Sequence, residues 1–336
     1  MNLDQLVMVA VVGEVASPTQ DRTGNRDGIA GLLPGPGGIV ISHRIGALCV
    51  GLAADRLTPG VAIENRQRAL RGRPDAANLA LNGYVCIGNL ARVVSGPCAG
   101  RRGIVTGKVH GVNQVSVDFA DPVIRRLRLG DRIQVYAHGM GLKLLDHAEL
   151  RLFNCSPPLL RRWGLRSRSH RLAVPVAHRV PGRIMVTGVC AQEPCPGHTD
   201  LPLADPATRH RYRLDRLRFG DLIAVEDLDG RSTATKRPGY TTIGVITHGD
   251  SPREGHGPGL IKLMTGPDYA LEPIHDPTAN LARILELRPG IGRTGRFPRR
   301  EAAGALRITT RFAPAAAPEE LAGPRETVHW SLETCS

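Results

Sequence analysis

The sequence predicts a mainly β fold, a β-rich α+β chain in two parts. Three observations lead there. Gly supplies 39 and Pro 26 of the 336 residues, about a fifth of the chain. That much punctuation favours many turns between short elements and excludes a helical bundle or coiled coil. The apolar runs are short and rich in Val and Ile. Glycines at 96, 100, 103 and 107 also cut residues 87–119 into strand-length pieces, the pattern of a small antiparallel barrel or meander.

Residues 1–150 read as a β-rich N-terminal domain. Leu6–Val12 is apolar, follows Asp4, and has no Lys or Arg before it, so it predicts a first strand rather than a signal peptide. Leu33-Pro34-Gly35-Pro36-Gly37-Gly38-Ile39 leads into a second short run, Gly38–Ser42. A loop so rich in Gly permits unusual backbone angles and close approach. It serves either as a tight turn or as a ligand cradle with Gly37 and Gly38 as contacts. Residues 64–82 hold few β-branched residues and predict a loop with a short helix. The barrel segment runs from Ile87 through Val93-Val94-Ser95-Gly96-Pro97 and Gly100-Arg101-Arg102-Gly103-Ile104-Val105 to Phe119. This order resembles the KOW-type motif of SH3-like barrels, some of which bind RNA. Leu127–Val135 predicts a turn into another strand.

Residues 151–290 form the second, mixed domain. Pro157–Trp163 predicts a short helix with both prolines in its first turn. Leu172–Val176 and Arg183–Thr187 predict strands flanking His178. Leu217–Val225 has the pattern of Leu127–Val135, so Gly130-Asp131 and Gly220-Asp221 predict equivalent turns, a hint of related halves. Tyr240–Thr247 predicts a strand and Asn280–Leu287 a short helix. Beyond Gly290, Arg, Ala, Pro and Gly dominate, with one possible strand at Leu306–Phe312. Residues 291–336 read as an extension or partner arm.

The net charge is +13, carried by 40 Arg against only Lys108, Lys143, Lys236 and Lys262. Abundant Ala, Gly and Pro make part of this compositional drift; the functional reading is attraction to anions. Aromatic residues are 4% of the chain, few for a protein that stacks bases. Seven scattered Cys include no CxxC pair, which excludes a zinc ribbon and predicts free thiols in a cytoplasmic setting. No apolar run approaches the ~20 residues of a membrane span.

The densest polar cluster is Thr247-His248-Gly249-Asp250 followed by Gly255-His256-Gly257-Pro258-Gly259. Residues two apart on a strand share a face, so His248 and Asp250 point together if the strand continues. The glycines then let His256 fold back. Such a trio serves as a base with its orienting carboxylate or as a set of metal ligands. Gly255, Gly257 and Gly259 would offer backbone N–H groups to a developing anion. His178, His43 and Asp55 carry weaker signals singly; His178 alone reads as a core histidine. Cys190, Cys195 and His198 have metal-like spacing but no fourth ligand nearby.

Several blocks in one order resemble the uncharacterised domain-of-unknown-function family 4438, over about residues 5–290. They are Leu33-Pro34-Gly35-x-Gly37-Gly38-Ile39, Ala54-Asp55-x-x-x-Pro59-Gly60-Val61, Cys86-Ile87-Gly88-Asn89, Gly141-Leu142-Lys143-Leu144-Leu145-Asp146, Val174-Pro175-Val176-x-His178-x-Val180-Pro181, His248-x-Asp250 and Gly255–Gly259. The resemblance implies a β-rich two-part fold and a homo-oligomer, and places His178 with His248, Asp250 and His256. It implies no activity. The chain departs from the family pattern at Asp55-Arg56-Leu57-Thr58-Pro59-Gly60, where members tend to carry Asp-His-x-Glu-Pro-Gly. It departs again at His43, where they tend to have Asn, and over 186–190, where they tend to be Gly/Ser-rich. A metal site built on first-half residues is correspondingly weakened.

Two functions are compatible with these residues. One is a small-molecule enzyme, hydrolase (amidase-like) or cyclase/lyase, on a polar anionic metabolite. Its catalytic residues would be His248, Asp250, His256 and His178, with His43, Asp55 and the glycines around substrate. No organic cofactor is expected; a divalent metal, if used, would sit on His248, Asp250 and His256. The alternative is nucleic-acid binding through Arg92, Arg101, Arg102 and Lys108 of the barrel.

Overall fold

The structure is a computed structural model that describes residues 1–18, 33–66, 76–109, 112–185, 198–201, 203, 205–231, 235–252 and 255–287. Cys190, Cys195, Cys335, the Gly/Ser comparison over 186–190, Leu306–Phe312 and the 291–336 extension lie outside the described residues. All described residues belong to one compact unit.

The first half is a closed barrel. Its strands are β1 (Val9–Val15), β3 (Gly60–Glu64), β4 (Leu90–Val93), β5 (Arg102–Val109), β6 (Gln114–Phe119) and β7 (Arg132–Ala137). They pair in the order β1-β7-β4-β5-β6-β3, and β3 returns to β1 through Glu14↔Glu64 and Val15↔Ile63. Every pair is antiparallel. Closure removes the unpaired edges that an open sheet exposes. A short β2 (Ile39–Val40) flanks β3. Residues 87–119 therefore supply three of the six strands, and the other three come from outside that segment. Val61, Ile63, Ala91, Val93, Val105, Val117, Ile133 and Val135 are fully buried. Burial alternates along β4 and β7, where one face meets the core, whereas β3, β6 and most of β5 are buried on both faces.

Sequence boundaries shift at several elements. The first strand begins at Val9, because Leu3–Gln5 forms a single 3-10 turn. The run after the Gly-rich loop is only two residues of strand. Helix α1 (Ala76–Tyr84) extends two residues past the expected end and rests on β1, where Gly13 leaves room for Leu81. A one-turn α2 (Asp121–Ile124) follows β6. The equivalent turns match: Gly130 and Gly220 have φ of 84° and 83°. Asp131 accepts from the Arg128 N–H at 2.9 Å, as Asp221 does from the Arg218 N–H at 2.8 Å.

The second half is built on a six-stranded sheet. Its strands are β8 (Arg151–Leu152), β11 (His178–Pro181), β12 (His198–Asp200), β13 (Leu222–Asp229), β14 (Thr235–His248) and β15 (Gly259–Pro267). The order is β11-β13-β14-β15-β12, with β8 also on β15. A smaller sheet, β16-β10-β9, comprises β9 (Arg166–Arg168), β10 (Arg171–Val176) and β16 (Leu271–His275). Helix α3 (Pro157–Arg162) is capped by Ser156, α4 (Pro206–Arg211) by Asp205 and α5 (Leu281–Ile284) by Asn280. Where a strand was expected from Arg183, a 3-10 turn over Gly182–Ile184 stands instead. The backbone of Gly182 passes so close to the Glu226 carbonyl that a Cβ would lie 2.8 Å from it. No helix among the described residues is long and apolar enough to cross a membrane.

The halves share one apolar core. Gly107 of β5 lies against Thr247 of β14, where a Cβ would come within 3.2 Å of the threonine. A polar bridge crosses beside it. The buried Lys108 ammonium donates to the Asn82 carbonyl at 2.6 Å and to Asn154 Oδ1 at 2.8 Å. Asn154 Nδ2 in turn donates to the Lys262 carbonyl at 3.1 Å. Lys108→Met should therefore strand the buried Asn82 carbonyl and the half-buried Asn154 Oδ1 and lower stability by about 1–3 kcal/mol. Urea unfolding would measure this, and an unchanged midpoint would show that the bridge contributes nothing.

Candidate functional site

The site grows from a register in the second sheet. β15 runs between β14 and β12, and its Gly259 lies opposite His248 on one side and Asp200 on the other. Residues flanking a central strand in this way have Cα atoms about 10 Å apart, so their side chains meet only by leaning over the middle position. Gly259 makes that possible. A Cβ there would fall 2.0 Å from His248 Nε2 and 2.5 Å from His198 Nε2. His198 and Asp200, two apart on β12, share a face and complete the group.

Three atoms converge. His198 Nε2 and His248 Nε2 are 2.8 Å apart. Asp200 Oδ1 lies 3.5 Å from the first and 3.6 Å from the second. Asp200 Oδ1 is buried and makes no hydrogen bond to any described residue. His248 Nδ1 lies 2.9 Å from the Gly249 carbonyl and can only donate to it, which leaves the lone pair of a neutral ring on Nε2. Burial pushes the His248 imidazole below its ordinary value; Asp200 and the Gly249 carbonyl oppose that push, and Arg56 adds to it. These three residues are the described side chains able to hold a metal ion together.

A second strip of chain braces the cluster. The Arg56 N–H donates to the Asp250 carbonyl at 2.8 Å, and the Gly249 N–H donates to the Leu57 carbonyl at 2.8 Å. Ser251 Oγ donates to Asp55 Oδ1 at 2.8 Å, and the Asp55 N–H reaches the Pro34 carbonyl at 2.9 Å. The Gly-rich loop is thereby tied to the rim of the site. Gly37 (φ 103°) and Gly38 (φ 70°) pack on Ser17 and Pro18, and a Cβ on Gly37 would strike the Ser17 carbonyl at 2.6 Å. Arg56 itself sits at φ 52°, a conformation uncommon outside Gly and often found at functional sites.

The cluster differs in membership from the expected foursome. His248 is in it. Asp250 is not, because β14 ends at His248 and the Asp250 carboxylate turns back onto the Ser251 N–H at 2.8 Å. The Gly249 carbonyl takes the orienting position expected of Asp250. His256 is exposed on the loop before β15, with Gly255 (φ 75°) beside it and Gly257 buried. His178 stands two strands away on β11, with Nε2 3.6 Å from Asp221 Oδ2. Its strand partner Ile223 lies opposite Gly244, four residues before His248, so strand dimensions put the two histidines more than ~10 Å apart. His43 pairs with Ser42 Oγ at 2.8 Å, beside an Arg44 committed to Asp118 and Asp121.

Sequence reasoning passed over Asp200 and read His198 only with Cys190 and Cys195. The available signal was His198-Thr199-Asp200, which has the same His-x-Asp spacing as His248-Gly249-Asp250. Gly259→Ala should drive both imidazoles off their positions. Their ring NMR signals should shift, and overpacking should cost on the order of 1–3 kcal/mol. Unmoved signals would mean that the cluster does not depend on this glycine.

Comparison with known proteins adds a family but no activity. The domain of unknown function DUF4438 matches in two parts, its N-terminal region over residues 23–161 and its C-terminal region over 162–285. The crystal structure of TM1086 is similar at 31% identity and a TM-score of 0.75, over 84% of this chain and 97% of that one. No curated protein matches. With both family regions present in order over most of its length, the chain belongs to the DUF4438 family.

Proposed function

We propose that the chain is a cytoplasmic enzyme of hydrolase (amidase-like) or cyclase/lyase type, acting on a small, polar, anionic metabolite at His198, Asp200 and His248. The observation that carries this reading is the convergence of two imidazole nitrogens and a buried, unbonded carboxylate oxygen at one point. A core has no structural use for such a group, because an unsatisfied buried oxygen costs about 1–3 kcal/mol. His248 turns its one free lone pair, on Nε2, into the cluster, since its Nδ1 is engaged by the Gly249 carbonyl. His198 and Asp200 are partly exposed and form the side open to substrate. Arg56 near His248 is balanced by Asp55, 3.7 Å away, so the preference for an anion rests on the net charge of +13. Four buried free thiols suit a reducing compartment.

Incubation of the protein with a deproteinised metabolite extract, in the presence of divalent metal salts, tests the proposal by mass spectrometry. At least one anionic compound should be consumed. His198→Ala or His248→Ala should slow that loss by ~10² or more, the order of loss that removing one positioned catalytic group causes. Equal turnover by the variants, or no compound consumed, would refute it.

One observation supports nucleic-acid binding. Arg92 faces Arg102 across β4 and β5, and both are exposed, as is Arg101. The fourth expected contact, Lys108, is 1% exposed and bonded inside the protein, so it cannot reach a phosphate. Retention on a random oligonucleotide should accordingly show only a shallow dependence on salt; a steep log–log slope would favour this second reading instead.

A further inference from the structure

The three donor atoms of the cluster form a triangle with sides of 2.8, 3.5 and 3.6 Å. The circle through its corners has a radius of about 1.9 Å. A cation slightly out of that plane lies about 2.1 Å from all three atoms at once, the usual distance of a first-row divalent metal from imidazole nitrogen and carboxylate oxygen. We propose that His198 Nε2, His248 Nε2 and Asp200 Oδ1 bind one divalent transition-metal ion on one face, leaving its remaining positions to water or substrate. This inference rests on the donor geometry alone and stands whether or not the chain is an enzyme.

Protons alone do not account for the arrangement. A hydrogen on one imidazole can join the two rings, but it leaves Asp200 Oδ1 at 3.5–3.6 Å from both, too far for a hydrogen bond. A single cation satisfies all three atoms together. The surroundings agree with a metal site in two further ways. The Gly249 carbonyl accepts from His248 Nδ1, the backing hydrogen bond that orients metal-bound histidines and directs the Nε2 lone pair inward. Gly259 keeps the point of convergence clear of side-chain atoms. Two imidazoles favour zinc, iron, cobalt or nickel over magnesium or calcium, which prefer all-oxygen sites. An ion held by three ligands keeps open positions, as catalytic metals do.

Titration of the chelator-stripped full-length protein with Co(II) tests this directly, followed by visible d–d absorption. The wild type should bind one Co(II) per chain and develop absorption bands from nitrogen and oxygen ligation. Asp200→Asn keeps the shape of the side chain and removes its charge; it should weaken Co(II) binding by ~10² or more while the far-ultraviolet circular dichroism stays unchanged. His248→Ala should do the same; where it fails to fold, Asp200→Asn decides the matter. The double variant Asp250→Asn, His256→Ala should bind Co(II) as tightly as the wild type. Absence of saturable binding by the wild type would overturn the proposal. So would wild-type affinity in folded Asp200→Asn, or loss of binding in the double variant alone.

Discussion

Between His248 and Asp200 runs the central strand β15, and where it passes between them no side chain fits. Gly259 is the constraint on which the site depends. Two residues separated by a whole strand lean over it until their polar atoms almost touch. Any larger residue would occupy the point of convergence. The glycine is needed here for its missing Cβ rather than for a left-handed backbone, unlike Gly130 and Gly220 in the matched turns. Close-packed interiors leave few such openings, and this one is lined by three groups that bind protons or metals.

The barrel matters to this site through what it supports. β14 ends in His248, and the residue before it, Thr247, packs on Gly107 of barrel strand β5. On the other side, Arg56 and Leu57, between the Gly-rich loop and β3, hold the backbone of Gly249 and Asp250 by main-chain hydrogen bonds, and Asp55 holds the Ser251 hydroxyl. The His248 end of the strand is therefore gripped from two directions by the first half of the chain. A ligand set held to within a fraction of an ångström needs that rigidity. It also explains why an Arg in an uncommon backbone conformation persists at position 56: the Arg56 N–H and the neighbouring Leu57 carbonyl both bond to the strip that carries His248.

Much of the fold was legible in the sequence. Gly96 and Gly100 marked the turn between β4 and β5, whereas Gly103 and Gly107, expected to separate strands, lie inside β5. The repeated Gly-Asp turns are alike down to the side-chain hydrogen bond. What was not legible was closure, because β1, β3 and β7 join those three strands through long-range pairing that local pattern does not encode. The site was half legible. His248 stood out among its glycines, and Asp55 does brace the rim. Asp250 and His256 drew attention by chain proximity, but a strand that ends at His248 sends both elsewhere. His198 and Asp200 arrive from a strand some fifty residues away in sequence, and only the antiparallel register of β12 on β15 brings them in. Lys108, counted among surface cations by its charge, is withdrawn into the core by two acceptors that its position along β5 supplies.

The central claim is that His198, Asp200 and His248 converge to hold one metal ion. A crystal of the full-length protein grown with Zn(II), with diffraction recorded on both sides of the zinc absorption edge, tests it most directly. The account predicts one strong anomalous peak per chain, about 2.0–2.2 Å from His198 Nε2, His248 Nε2 and Asp200 Oδ1. A peak on Asp250 and His256 instead, or no peak with the two imidazoles joined by a hydrogen bond, would contradict it.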